Sequence, residues 1–273
     1  MSAELTPIKL KKEQFEKISQ QVYQLAGINL HPGKQELVNA RLTKRLRVLG
    51  LKSFDAYIEY LKRDNPEGEL AAMIEAITTN KTSFFREPQH FSYLRQQIVP
   101  GLRNRKIRIW SAGCSSGEEP YSTAILLNET TEDHSLWDIR ILATDLSRPM
   151  IAHARKGVYS AQHLRDVPPL LLSKYFTCVE RNPVHRYQVI EPIRRQVHFA
   201  CLNLMGEWPM NGPFDVIFCR NVMIYFDKPT QERLVHRFWK LLKPGGHLFV
   251  GHSESLAGSP HKFHYVQPAI YMK

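Results

Sequence analysis

Ile107-Arg-Ile-Trp-Ser-Ala-Gly113-Cys-Ser-Ser-Gly117-Glu118-Glu-Pro-Tyr-Ser-Thr-Ala-Ile-Leu-Leu127 decides the fold. A short apolar strand runs into a loop of small residues, and the loop runs into a helix. That order marks the place where a doubly wound α/β sheet receives a ligand. The loop is spaced G-x-x-x-G rather than G-x-G-x-x-G, and its helix opens with two carboxylates. Negative charge at a helix start repels a pyrophosphate, which would otherwise sit on the free N–H groups there. It suits a ligand that carries positive charge, such as the ammonium and sulfonium of S-adenosylmethionine. Alone, the loop reads equally as a tight turn with no ligand.

Working outward, strand–helix alternation predicts strands at 107–111, 139–144, 197–201, 214–219 and 247–251 and near 264–271, with helices at 119–128, 148–156 and 229–242. Pro120 and Pro149 fall in first turns, where proline is tolerated. Between Gly157 and Cys201 the chain exceeds one crossover. Pro168-Pro169, a short helix to Tyr175 and two strand-like runs predict an inserted antiparallel hairpin, about 176–200, feeding back into the main sheet.

Residues 1–95 read as a separate all-helical domain before an α/β domain at 96–273. Phe15, Ile18, Val22 and Leu25 form a helical stripe that stops at Gly27. A second helix spans about 34–49, with Val38, Leu42, Leu46 and Leu49 on one side. Arg41, Lys44 and Arg45 fall within a ~100° arc beside that stripe. Ser53 is placed to cap a third helix through Lys62, and a fourth runs from Glu67 to Thr78.

The formal net charge of +11 points to an acidic partner. Nucleic acid, anionic lipid and an acidic protein surface all fit that charge. No apolar run reaches the roughly 20 residues of a membrane span, and Met1–Pro7 does not read as a signal peptide. Cys114, Cys178, Cys201 and Cys219 lack C-x-x-C spacing and lie in or beside apolar runs, so reduced, mostly buried thiols in a cytosol are expected. The twelve histidines are scattered, and no metal site is expected.

In a doubly wound sheet, ligands bind beyond the carboxyl ends of the strands. The first strand delivers Gly113, Gly117 and Glu118. The second ends in Asp145, placed to accept ribose hydroxyls or to cap the next helix. After the third come Asn203 and Leu204, an amide and an apolar side chain able to frame an adenine. The fourth exits into Arg220-Asn221-Val-Met-Ile-Tyr225. Thr79-Asn80-Lys-Thr82-Ser-Phe-Phe-Arg86-Glu-Pro88 joins the two regions. Its phenylalanines read as buried, while Asn80, Thr82 and Arg86 are expected to face the cleft. The Arg86 guanidinium stays charged, and its planar fork matches a carboxylate.

Asn80-Lys-Thr-Ser-Phe-Phe-Arg-Glu, Ser115-Ser-Gly-Glu-Glu-Pro-Tyr-Ser, Ala143-Thr-Asp-Leu-Ser, Phe218-Cys-Arg-Asn-Val-Met-Ile-Tyr-Phe and Gly251-His-Ser-Glu-Ser together resemble the chemotaxis receptor glutamate methyltransferase family, CheR. The resemblance implies methyl transfer from S-adenosylmethionine to glutamate side chains on the cytoplasmic helices of bacterial chemoreceptors, leaving S-adenosylhomocysteine. It implies a cytoplasmic monomer recruited to receptor arrays, without membrane insertion or nucleic-acid binding. The helical domain is expected to dock receptors through Arg41, Lys44 and Arg45 and to cap the cofactor cleft. The family's cofactor contacts fall on Asn80, Thr82, Arg86, Glu118, Asp145, Asn203, Leu204, Arg220 and Asn221, beside Gly113 of the loop. Tyr225 matches the tyrosine beside the reactive methyl, and Arg86 with Tyr225 is the expected catalytic pair. The inserted hairpin resembles a subdomain that binds a receptor C-terminal peptide in some members. Its turn here, Glu180-Arg-Asn-Pro-Val-His185, lacks the glycine of their loop, which leaves tethered binding open.

A nucleic-acid methyltransferase is the chief rival. Enzymes that methylate exocyclic amines often carry Asn/Asp-Pro-Pro-Tyr/Phe after the fourth strand, where this chain has Arg220-Asn221-Val-Met. A non-catalytic S-adenosylmethionine sensor is the other alternative, and intact Arg86 and Tyr225 argue against it.

Overall fold

The computed structural model describes the chain except residues 1–7, 64–66, 103–104, 132–135 and 183, and the side chains of 63 and 67. The expectation about Met1–Pro7, and Pro183 of the hairpin turn, lie outside the described residues. The chain forms two compact units: Met1–Asn80 with Tyr225–Asp227, and Lys81–Ile224 with Lys228–Lys273.

The helical unit contains α1 (Lys12–Ala26), α2 (Gln35–Val48), α3 (Phe54–Arg63) and α4 (Glu67–Ile77). On α1, Phe15, Ile18, Val22 and Ala26 are buried. Leu25, expected in the stripe, is 36% exposed. At 100° per residue it falls about 80° from Phe15, at the border of the arc, whereas Ala26 falls about 20° away. Gly27 ends the helix in the left-handed region at φ 70°, its N–H donating to Tyr23 O. Val38, Leu42 and Leu46 are fully buried. The Ser53 hydroxyl accepts from Ala56 N at 3.1 Å and caps α3. The short segment 225–227 joins this unit by a bridge between Ile28 and Phe226 and by Asn29 N donating to Tyr225 O at 2.8 Å.

Arg41 and Arg45 are tied down inside this unit. Arg41 donates to the carbonyls of Ala76, Ile77 and Thr78 and to Thr79 Oγ1, closing the orphan C-terminal carbonyls of α4. Arg45 pairs with Glu69, whose carboxylate also accepts from Tyr57 Oη at 2.8 Å. Of the three residues expected to dock a partner, Lys44 alone is exposed.

The second unit opens with α5 (Pro88–Tyr93), continued by π and 3-10 turns to Gly101. Leu94, Ile98 and Val99 enter the α/β core, which places the division at residue 80 and not at 95. Next come β1 (Lys106–Ala112), α6 (Glu118–Thr130), β2 (Asp138–Asp145) and α7 (Arg148–Lys156). They are followed by β3 (Val158–Ser160), α8 (Pro169–Tyr175), β4 (Phe176–Glu180), β5 (Arg186–Val189) and α9 (Glu191–Arg194). The chain ends with β6 (Val197–Cys201), β7 (Phe214–Cys219), α10 (Lys228–Leu241), β8 (Leu242–Val250), β9 (His264–Gln267) and β10 (Ile270–Met272).

The main sheet has the order β6-β2-β1-β7-β8-β10-β9. Its first five strands are parallel, and β10 and β9 add an antiparallel margin. All six residues of β7 are buried, as a central parallel strand covered on both faces requires. Where one strand was expected near 264–271, a hairpin turns at Ala269, which adopts φ 63°. In β8 the pairing jumps from Phe214↔Leu242 to Val216↔His247, so Lys243-Pro-Gly-Gly246 bulges out of the ladder.

The inserted β-sheet differs from expectation in membership. It is three-stranded, β3-β5-β4, and recruits Val158–Ser160 from just after α7, whereas Val197–Cys201 is the edge of the main sheet. Cys114 and Cys219 are buried as expected. Cys178 and Cys201 are exposed, because each lies on an edge strand.

Candidate active site

The loop after β1 is built by close backbone approach. Gly113 N and Cys114 N both donate to Thr144 O, at 2.7 and 2.9 Å, pulling the loop over the end of β2. Gly113 adopts φ 91°, and a Cβ there would lie 2.4 Å from Val222 Cγ2, in the loop after β7. Glycine is therefore required by both conformation and space.

Asp145 accepts Ser115 N at 2.8 Å and Ser147 N at 2.9 Å. Burial raises its carboxyl above the usual range, and these N–H groups partly offset the rise. Ser147 caps α7 by accepting from Met150 N, so capping that helix is not the aspartate's task.

The two carboxylates at the start of α6 separate in role. Glu119 accepts from Ser111 Oγ at 2.7 Å and pairs with Arg220 at 2.9 Å. Glu118 is 2% exposed, and its Oε2 accepts from Ser116 Oγ at 2.6 Å. Burial raises its carboxyl too. The unbalanced negative charge at this helix start thus rests on Glu118.

Beyond β6, Asn203 Oδ1 accepts Met205 N at 2.9 Å, while Leu204 is buried and its carbonyl accepts from Arg237 at 2.7 Å. Beyond β7, Asn221 adopts φ 59°. That turn is held by a residue to which the sequence reading gave no role. Glu254 accepts from Asn221 N at 2.8 Å, Ile224 N at 3.1 Å and Gly251 N at 2.5 Å. Its signal was the Gly251-His-Ser-Glu254 motif, whose glycine is explained here: a Cβ would lie 2.5 Å from Asn221 Nδ2.

Arg220, expected as a cofactor contact, spends its side chain inside the protein. It pairs with Glu87 at 3.1 Å and Glu119 at 2.9 Å and donates to Arg86 O. The residues on either side of Arg86, Phe85 and Glu87, take φ 54° and 58°. Such left-handed non-glycine residues cost of order 1–3 kcal/mol each and persist where surroundings over-determine them. Phe85 N donates to Ser122 Oγ at 2.9 Å, and Phe84 is buried edge-on to Tyr159 and Phe176. Phe85 is only half-buried, contrary to the expectation for both rings. Arg86 donates once, to Lys81 O at 2.9 Å, leaving the rest of its fork without a protein partner among the described residues. Lys81, Thr82, Arg86, His163, Arg165 and Asp166 line a cavity of about 460 Å³.

The structure thus brings Gly113, Glu118, Asp145, Asn203, Leu204, Arg220 and Asn221 to the carboxyl ends of β1, β2, β6 and β7, with Thr82 and Arg86 on the strap pinned to α6. Asn80 and Tyr225 belong to the helical unit, where the Tyr225 hydroxyl sits between Thr79 N at 3.2 Å and Thr79 O at 3.1 Å.

Glu87, His90 and His252 bring ligand-type atoms within 4.8 Å of one another. The Arg220 guanidinium already occupies the Glu87 carboxylate, so no metal is assigned there. Burial first, then the Arg220 charge and His252, push His90 from its ordinary 6.5 to about 3, while Glu87 acts in the opposite sense. A base whose folded pKa is depressed contributes stability that is complete above the unfolded value and is lost as pH falls toward the folded one. Stability should therefore decline below pH ~6.5, with a slope from this residue of up to about 1.4 kcal/mol per pH unit. In His90→Phe, denaturation measured between pH 7 and 4 should show a shallower decline; an unchanged slope refutes the assignment.

Residues 13–78 match the family described as CheR methyltransferase, all-alpha domain, and residues 80–272 match CheR methyltransferase, SAM binding domain. A chemotaxis protein methyltransferase of Borreliella burgdorferi is 40% identical, over 97% of this chain and 96% of its own. Those of Klebsiella aerogenes, at 41% identity, and Escherichia coli, at 40%, each cover 96% of this chain, and 90% and 91% of their own.

Proposed function

Because this chain belongs to the CheR methyltransferase family, we propose that it transfers the methyl group of S-adenosylmethionine to side-chain glutamates of chemoreceptors, producing methyl esters and S-adenosylhomocysteine. At the coarser level it is an S-adenosylmethionine-dependent chemotaxis protein methyltransferase.

The residues present suit that cofactor. The glycine at 113 keeps the floor of the loop clear, Glu118 supplies buried negative charge, and Asp145 stands at the end of β2 where ribose hydroxyls are read. We assign its binding to Asn80, Thr82, Arg86, Gly113, Glu118, Asp145, Asn203, Leu204 and Asn221, with the Arg220 backbone. When bound, S-adenosylmethionine supplies a methyl group on an electrophilic sulfonium.

The observation that carries glutamate as acceptor is the cationic cavity against Arg86. A glutamate, with an ordinary pKa near ~4.3, is already ionised at neutral pH and needs no general base. The protein's work is to hold the anion in line and exclude water, and such alignment removes roughly 7–11 kcal/mol of barrier in favourable cases. Arg86 draws in the carboxylate with its unspent donors, and Tyr225 sets its angle. Incubation with radiolabelled cofactor and receptor-bearing membranes should give protein label released as methanol by alkali. Alkali-stable label, or label on RNA, would overturn the reading.

Receptor docking falls to the exposed basic residues of α2, now represented by Lys44. Charge steers encounter and is screened by salt. Lys44→Glu should lower receptor methylation roughly twofold to fivefold at low ionic strength and converge on wild type at high salt. Equal rates at low salt would remove Lys44 from the surface. No described helix is long and apolar enough to cross a membrane, and we place the enzyme in the cytoplasm, acting on membrane-bound receptor arrays as a monomer.

A further inference from the structure

We infer that Lys81 and Arg165 form a subsite for a second acidic side chain of the substrate, beside the carboxylate that is methylated. The inference rests on the glutamate-methylating reading above.

The cavity at Arg86 is lined by three fixed cations, Lys81, Arg86 and Arg165, and one carboxylate, Asp166. Asp166 lies 3.6 Å from Arg165, and both side chains are more than half exposed, so the pair neutralises little. Glu118, buried at the start of α6, is assigned to the cofactor. Seating one acceptor carboxylate at Arg86 still leaves the cavity positive. At about 460 Å³ the space lies in the range of small-ligand sites, and its Thr82 and Arg86 walls are shared with the cofactor.

The wall that carries Arg165 is a fixed turn. Leu164 and Val167 are buried in the core, with His163 N, Leu164 N and Val167 N donating to Ser160 O, Ala161 O and Leu164 O at 3.0 to 3.2 Å. Ser160 Oγ and His163 Nδ1 lie 2.8 Å apart. The turn therefore offers His163, Arg165 and Asp166 outward from a rigid base. Lys81, on the opposite strap, is tied through its carbonyl to Arg86. Cations gathered around one cavity recognise a pair of anionic groups, the chemistry of an acidic peptide segment.

The test crosses enzyme and substrate. The full chain and its Lys81→Gln/Arg165→Gln variant are assayed on a receptor cytoplasmic fragment, and on the same fragment with the acidic residues flanking the acceptor glutamate changed to glutamine. Neutralising the substrate should raise KM for the wild type roughly three- to tenfold. The variant should show that raised KM on both substrates, with unaltered affinity for S-adenosylmethionine by calorimetry. Equal penalties for wild type and variant overturn the subsite. So does a variant that loses cofactor affinity, since the charges would then serve the cofactor's own carboxylate. A wild type that forms no alkali-labile ester on either fragment overturns the reaction itself and the subsite with it.

Discussion

Replacing Arg220 with leucine should lower the unfolding free energy of the α/β unit by about 3–5 kcal/mol, the usual cost of removing one partner from a buried ion pair. The guanidinium is 2% exposed, and Glu87 and Glu119 beside it are 12% and 13% exposed. Without Arg220 two carboxylates are left largely dry, and Arg86 O loses its donor. Lysine is a poor substitute, because one ammonium cannot span two carboxylates and a carbonyl as a planar fork does. Arg220 also holds the Glu87 carboxyl below its usual range against the opposing effect of burial. A folded pKa lowered in this way contributes stability that is present above the ordinary carboxylate value and disappears as pH falls through the depressed one. The loss in Arg220→Leu should accordingly be largest near neutrality and shrink in acid. Urea denaturation at pH 7 and pH 4 measures both. The triple variant Glu87→Gln/Glu119→Gln/Arg220→Met should recover most of the loss, since neutral groups need no counter-charge. A single variant that costs less than about 1 kcal/mol, or a triple no better than the single, would refute the account.

Why this cluster escaped sequence reading is a matter of range. Arg220, Glu119 and Glu87 lie far apart in the chain and meet only when β7 pairs with β1 and the strap folds over α6. Nothing within a window of ten residues distinguishes a carboxylate destined for an arginine from one destined for a ligand, and Glu118 and Glu119 differ only by one step of helix rotation. By contrast, β6, β7 and α7 were legible to the residue. Their apolar runs are continuous or nearly periodic, Gly212-Pro213 precedes β7, and Ser147, Pro149 and Gly157 punctuate α7. The strand-end positions of Asp145 and Gly113 followed from those ends by topology alone. Short β3 was invisible for the opposite reason: three residues carry no periodicity, and their partner β5 comes from a later part of the chain. Arg41 and Arg45 show the same limit on a helix. Rotation places them on one arc, but only the fold reveals that α4 covers it.

Arg86→Lys should reduce kcat on receptor substrate roughly 10²- to 10³-fold, the scale of losing a preorganised donor at the reacting group, while S-adenosylmethionine affinity falls far less. The backbone is fixed on both sides of this residue. Phe85 and Glu87 are strained into the left-handed region, Phe85 N is held by Ser122 and the Glu87 side chain by Arg220. Strain held so firmly beside one uncommitted fork is the pattern expected of a positioned catalytic group. A lysine keeps the charge and can still draw in a carboxylate, so KM should rise modestly. What it loses is the second, parallel hydrogen bond that fixes the plane of the acceptor, and that loss falls on kcat. Calorimetry with the cofactor alone separates a binding defect from a turnover defect. A variant that binds cofactor normally and turns over at near wild-type rate would show that the carboxylate is oriented elsewhere. If kcat is unchanged and KM alone rises, Arg86 attracts the substrate without aligning it.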